Sequence, residues 1–443
     1  MAIAAIVDDE PSLIGLGEKK TPIGASEKSP GKHAEIFDPR AEFALRTRDM
    51  NTEVLDTILK LSSQPEIISF AGGLVGVLQS KEVKARLEEQ VARLGPEVRN
   101  YASTEGYEPL REVGAELFRR LKLEVRSPED VIINSGGQQS LDLIGKILIN
   151  QGDTVVTESP TYPGALQAWL PYGARIVPIE TDDKGMSPVA LEKILKDPNR
   201  RIPFIYLIEN YQNPGGFQTS WDRKVKIAEL AQQYNVRVVA DDPYKLLLYE
   251  GGYVKPIQSI LPGVIEIMST SKMFEPAARQ AFVTASADVI RMMIKAKQGA
   301  DLFGGHEGQA RLYYYLASQD FPDHIYKIRE VYVARRNAMM DEMDRLLPGW
   351  IQTRAMGGMF LYAQDPEGRV NTSDLLPIAA ERGVAFVPGA GCYPPEFAHL
   401  GEHGMRLNFT FKPEDQIKRG VSILAEAIRE YRDRKINFQN SVE

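Results

Sequence analysis

Hydrophobic positions along this chain change period several times, and the changes mark its elements. From about residue 130 to 290, short β-branched runs alternate with stretches whose apolar residues recur at helical spacing. The runs VIIN (131 to 134), TVVTE (154 to 158), ARIVPIE (174 to 180), FIYLIE (204 to 209), VRVVAD (236 to 241), VIEIMS (264 to 269) and AFVTA (281 to 285) read as seven strands. Between them, SLDLIGKILIN and DRKVKIAELAQQY read as amphipathic helices able to cover a sheet. This rhythm predicts an α/β fold whose large domain holds a mostly parallel seven-stranded sheet between helices. Right-handed crossovers then set the strand C-termini along one edge.

After about residue 325 the pattern becomes a long charged helix, IYKIREVYVARRNAMMDEMDRLL, then short strands around GGMFLYAQ and MRLNFTF and a terminal helix. That predicts a smaller α+β domain. The expected boundaries are an N-terminal arm over 1–40, a first part of the small domain over 41–85, the large domain over 86–325 and the rest of the small domain over 326–443. The arm mixes Gly, Pro, Ser and Lys around weak apolar clusters, which reads as a flexible segment able to order against a partner subunit.

Composition narrows the function. The 53 basic residues against 60 acidic ones leave no broad positive surface for nucleic acid or acidic lipid, so a small-molecule substrate is expected. Cys392 is the single cysteine, which excludes an intrachain disulfide framework and a cysteine-rich metal site and points to the cytoplasm. The opening MAIAAIVDDEPSLIG has no basic n-region, and no apolar run approaches the length of a membrane span, so neither a secretion signal nor a membrane segment is read.

In an open α/β sheet, ligands bind beyond the carboxyl ends of strands. The first strand runs into Ser135, Gly136, Gly137 and Gln138 and then a helix, an arrangement that suits phosphate but is equally that of a plain turn. Tyr162 follows the second strand, where its ring can stack on a flat ligand or pack in a turn. Asn213 precedes a proline after the fourth, as ordinary turn residues do. The fifth ends in Asp241 and Asp242, followed by Tyr244; one carboxylate could keep a pyridine nitrogen protonated, and a helix cap or a metal site are the alternatives. The sixth ends in Ser269, Thr270, Ser271 and Lys272, with Arg279 beyond. Most lysines are simply solvated, but one reached from an apolar strand and flanked by hydroxyls and an arginine is a candidate Schiff-base former.

These segments resemble the fold type I enzymes that use pyridoxal 5′-phosphate (PLP). STSKMFEPAAR looks like their lysine signature, and IISFAGGL, YASTEGYEPLRE, NSGGQQSLDL, ESPTYPGAL, YQNPGG, ADDPYKLLL and GMRLNFTF extend the likeness from about residue 66 to the C-terminus. It is similar to the branch of the class I/II aminotransferases that handles aminoadipate, kynurenine and aromatic amino acids. The resemblance implies PLP as cofactor, carried as a Schiff base by Lys272, which would also shuttle the substrate's proton. Asp241 would meet the pyridinium nitrogen, Asn213 and Tyr244 the phenolic oxygen, and Tyr162 the ring face. Ser135, Gly136, Gly137, Gln138, Ser269, Ser271 and Arg279 would hold the phosphate. Arg406, Asn213 and Gly73 would meet the substrate. Tyr101 would reach the phosphate of a neighbouring subunit, implying a homodimer with composite active sites.

The implied reaction is ping-pong exchange of an amino group between an L-amino acid and a 2-oxo acid, with no metal. Elimination, replacement or cyclisation is the competing chemistry, because fold alone does not select the reaction. Two departures bear on that choice. Where the family pattern has Pro-Gly-x-Arg-x-Gly, this chain has Ala277 and Ala281 for the glycines and places Glu275 before the proline; and VGVLQSKEV follows FAGGL without the usual proline turn. A regulator module that binds PLP as an effector would need a helix-turn-helix unit, and a dehydrogenase a G-x-G-x-x-G turn after the first strand; neither is read here.

Overall fold

The computed structural model describes residues 43–50, 56, 57, 60, 61 and 64–442. The chain divides into two units, Met1–Leu45 and Arg46–Glu443, and every element below belongs to the second. The expected arm, 1–40, lies outside the described residues.

All seven expected strands form: β1 (Val131–Asn134), β2 (Thr154–Ser159), β3 (Arg175–Asp182), β5 (Phe204–Leu207), β6 (Arg237–Asp241), β7 (Ile265–Ser269) and β8 (Ala281–Thr284). An eighth, β4 (Gly185–Met186), is a two-residue antiparallel return against the end of β3. The order across the sheet is β1-β8-β7-β6-β5-β2-β3-β4. Pairs β7–β6, β6–β5, β5–β2 and β2–β3 are parallel, whereas β8 runs antiparallel to both β7 and β1. The two reversals restore β1 to the common direction, so β1, β2, β5, β6 and β7 all end on one edge and β8 begins there.

One margin of the sheet is occupied. On the open side of β1, the Ile133 N–H donates to Glu105 O (2.9 Å) and Arg111 Nε donates to Val131 O (3.0 Å). At the other margin β4 is only two residues long.

Helices cover both faces, as apolar strand residues on a doubly covered sheet require. α1 (Gly136–Leu148) and α2 (Pro163–Trp169) follow β1 and β2 directly. Trp169 is fully buried, stands edge-on to Phe204 and Tyr206 at 5.0 Å each, and donates from Nε1 to Leu141 O (2.9 Å). Such edge-on packing suits the aromatic quadrupoles and fixes the centre of the sheet.

The C-terminal part holds the expected long helix, α3 (Asp320–Leu346), the terminal helix α4 (Glu414–Val442), and an antiparallel sheet of β9 (Phe360–Gln364), β11 (Gly404–Asn408) and β10 (Val387–Pro388) in that order. Ile68–Ser69 pairs in parallel with Val384–Ala385, drawing the segment after residue 65 into this part of the molecule. The next residues are pinned over the large sheet's ligand edge. Asn408 Nδ2 donates to Gly72 O and Leu74 O, and Thr410 Oγ1 donates to Leu74 O (2.9 Å). Among the described residues, no helix is long and apolar enough to cross a membrane.

Candidate active site

Where β1 gives way to α1, Gly136 adopts φ +77°, a left-handed turn that glycine enters without Cβ strain. The turn also needs the missing side chain, because a Cβ there would sit 2.5 Å from Nη2 of Arg279. Arg279 is itself left-handed (φ 50°, ψ 60°) just before β8, and its Nη2 donates to Ser135 O at 3.4 Å. Because β8 is reversed, the start of this strand meets the ends of β1 and β7. Ser269 closes β7, donates to Ser271 Oγ (3.1 Å) and accepts from the Ser271 N–H (3.3 Å). A guanidinium, two hydroxyls and the first amides of α1 thus converge, a cradle for an anion at a helix N-terminus.

Lys272 follows in the same turn. Its Nζ donates to Gly73 O at 2.7 Å. Desolvation first, and then the positive charges of Arg406 and Arg279, lower its amine to about 8. Asp241, buried at the end of β6, accepts from Tyr206 OH through Oδ2 (2.9 Å), while Oδ1 is buried with no partner among the described residues. Burial raises this carboxyl to about 7 against the lowering effect of the Tyr206 hydrogen bond.

Arg406, on β11, reaches across from the smaller sheet. Its Nη1 donates to Asn213 Oδ1 (3.1 Å), its Nη2 donates to Ala71 O (2.8 Å), and its guanidinium lies 4.4 Å from the ring centroid of Phe360. Asn213 Nδ2 donates to Tyr244 OH (3.3 Å). Tyr162 stands at the start of α2 with its hydroxyl 3.5 Å from Gln138 Oε1, while Gln138 Nε2 donates to Gly164 O (2.7 Å).

These groups wall one cavity of about 400 Å³. Of the residues singled out in the sequence, Gly73, Gly137, Gln138, Tyr162, Asn213, Asp241, Tyr244, Ser269, Ser271, Lys272, Arg279 and Arg406 all line it. Ser135 and Gly136 stand behind the wall, against Arg279. Tyr101 does not join them: it is 81% exposed, with its ring 5.8 Å from Phe303. Sequence reasoning missed Phe360, Ile208 and Pro243, which also line the cavity, and Tyr206 behind Asp241. The alternating faces of strand residues 204–209 could have flagged Tyr206 and Ile208 as sharing one face.

The second carboxylate of the pair has other work. Asp242 is buried, salt-bridged to Lys245 (2.9 Å), and accepts from Asn210 Nδ2 (2.6 Å). Among the described residues no cluster of His, Cys, Asp and Glu could hold a metal. Of the sequence departures, Glu275 forms an ion pair with Arg311 and is absent from the cavity wall, and Ala281 is fully buried as the first residue of β8. In VGVLQSKEV, Gly76 donates from its N–H to Tyr332 OH (3.1 Å), and a Cβ on it would fall 2.1 Å from Thr410 O. That close approach accounts for glycine in this turn.

An α/β sheet that gathers a depressed-pKa lysine, a buried carboxylate and two arginines around one cavity defines a lysine-centred group-transfer enzyme. The chain belongs to the family described as aminotransferase class I and II, whose sequence model matches residues 65–424. It is 35% identical over 406 residues to aromatic-amino-acid aminotransferase 1 of Thermococcus litoralis, covering 90% of this chain and 96% of that one. Among solved structures it is similar to kynurenine aminotransferase of Pyrococcus horikoshii, described in complex with PMP (TM-score 0.82, 35% identity, 89% of this chain and 98% of that one). It is also similar to the alpha-aminoadipate aminotransferase of Thermus thermophilus, described with N-(5′-phosphopyridoxyl)-L-leucine (TM-score 0.81, 31% identity, 89% and 99%). The fold is that of the type I aminotransferases.

Proposed function

We propose that this aminotransferase moves an amino group between an L-amino acid and a 2-oxo acid in two half-reactions, with PLP in the cavity described above and joined to Lys272. The observation that carries this is the convergence of Lys272, Asp241, Arg279 and Arg406 on one cavity. The residues fit the cofactor: Asp241 Oδ1 is an orphaned buried acceptor suited to a ring N–H, and the cradle of Arg279, Ser269, Ser271 and the α1 N-terminus suits a phosphate. When bound, PLP supplies an electrophilic carbon and an electron-accepting ring.

The chain's own groups do the rest. Lys272, with its lowered pKa, would hold the cofactor through its neutral amine and, once displaced by the substrate's amine, take or return a proton at the substrate Cα. Tyr162 walls the cavity as a stacking face, while Asn213 and Tyr244 together present an amide and a phenol to the cofactor's phenolic oxygen. Arg406 turns its planar fork to the substrate carboxylate, with Phe360 beneath it and Gly73 alongside. Asn213 Oδ1 keeps that fork oriented. The large domain spans 86–325, and the small domain joins 41–85 to 326–443. The protein works as a cytoplasmic homodimer whose exposed Tyr101 completes the phosphate site of the other subunit, a reading supported by its position outside its own cavity.

The relatives are named for aromatic amino acids, kynurenine and alpha-aminoadipate, which makes these the donors to test first. The protein, loaded with PLP, is incubated with one donor and no 2-oxo acid, and products are quantified by mass spectrometry. Release of one 2-oxo acid per active site, followed by arrest until an acceptor is added, is the expected result. Continuous turnover without an acceptor would overturn transamination in favour of elimination or cyclisation.

A further inference from the structure

The two oxygens of Asp241 have different surroundings. Oδ2 is taken by Tyr206 OH at 2.9 Å, and Oδ1 is buried and unpaired in a residue that lines the cavity. Buried polar atoms are nearly always paired, so Oδ1 marks the place where a donor is received.

Sheet register explains how Tyr206 reaches Asp241. Tyr206 on β5 lies opposite Val239 on β6. Asp241 is two residues farther along the same face, at the diagonal spacing that a long aromatic side chain can span. Tyr206 is fully buried and braced edge-on by Trp169 at 5.0 Å. Burial and the neighbouring Asp241 charge push its phenol well above the ordinary range, so it stays protonated and remains a donor.

We infer that Tyr206 is a positioning residue: by holding Oδ2 it orients the carboxylate so that Oδ1 faces the cofactor's ring nitrogen, and it favours the anionic carboxylate that keeps that nitrogen protonated. The inference rests on the proposed placement of PLP. Tyr206 itself does not line the cavity and acts only through Asp241. Without its hydrogen bond, desolvation and the adjacent Asp242 would both drive Asp241 toward the neutral acid, which competes with the ring for the proton.

The test measures dissociation constants of PLP and of its 1-deaza analogue, in which a C–H replaces the ring nitrogen, by titration into cofactor-free protein. Tyr206→Phe removes one oxygen and keeps the ring. This variant is expected to bind PLP roughly tenfold more weakly, the worth of a hydrogen bond to a charged group, while its affinity for the deaza analogue is unchanged. In an Asp241→Ala background the same substitution is expected to change neither affinity. Equal weakening of both ligands would reveal a packing role and overturn the inference, and so would an unaltered PLP affinity. If the unmodified chain shows no saturable PLP binding, the cofactor reading falls and takes this inference with it.

Discussion

At pH 7 a lysine that titrates near 8 is neutral in about a tenth of molecules, roughly three-hundredfold more than one with the usual value near 10.5. For Lys272 the main cause is desolvation, with Arg406 and Arg279 adding to it. In cofactor-free protein, its reductive methylation, followed by peptide mass spectrometry, is therefore expected to rise with pH with a midpoint near 8; a midpoint close to 10 would refute the role of the cavity. Arg406 makes a different kind of demand, for shape as well as charge. Its Nη1 and Nη2 are both engaged, and Nε is buried without a partner among the described residues. Arg406→Lys keeps the charge and loses the fork, so KM for the amino acid is expected to rise roughly ten- to hundredfold; steady-state kinetics with an unchanged KM would remove Arg406 from the substrate site. Lys272, Asp241 and the serines were legible because each stands within four residues of the end of an apolar run. Tyr206 and Phe360 were not: the period of residues 204–209 could set Tyr206 on one face with Ile208, but what each ring touches is decided by neighbours from other strands.

Among the elements, the β1–α1 turn couples backbone geometry to anion binding. Gly136→Ala would place a methyl in a left-handed turn and against the Arg279 guanidinium. The backbone strain costs about 1–2 kcal/mol of stability. The displaced guanidinium is expected to weaken pyridoxamine phosphate binding roughly tenfold. Pyridoxamine without the phosphate serves as the control in the same calorimetric titration, and an equal loss for both ligands would show that the turn acts by general destabilisation. Strand existence was readable from β-branched runs, but strand direction was not, since alternation reads the same either way along a chain. Hence the reversal of β8, which delivers Arg279 to the ligand edge from a strand's beginning, emerges only from the pairing. Gly185–Met186 is too short to carry any period and was likewise invisible.

For the whole molecule, the composite-site proposal makes a stoichiometric claim. Lys272→Ala and Tyr101→Ala chains are each expected to be impaired as homodimers. Refolded together at equal ratio, they are expected to regain about a quarter of wild-type activity, because half the dimers are mixed and each mixed dimer has one intact site. No gain over the separate variants would show that Tyr101 serves its own chain or none. The change of pattern near residue 325 announced α3 and the short strands and terminal helix after it, whereas the return of Ile68–Ser69 to Val384–Ala385 depends on a contact far apart in sequence. The occupied β1 margin of the large sheet has a further consequence. With the outward groups of Ile133 and Val131 taken by Glu105 and Arg111, the β1 margin offers no template for strand addition, whereas β4 covers only Thr181 and Asp182 at the end of β3. Copies of this chain are therefore kept from pairing edge to edge through β1. Any association of copies on the β1 side would have to be written in helix and loop side chains, where single substitutions can tune it without touching the backbone ladder that holds the catalytic edge.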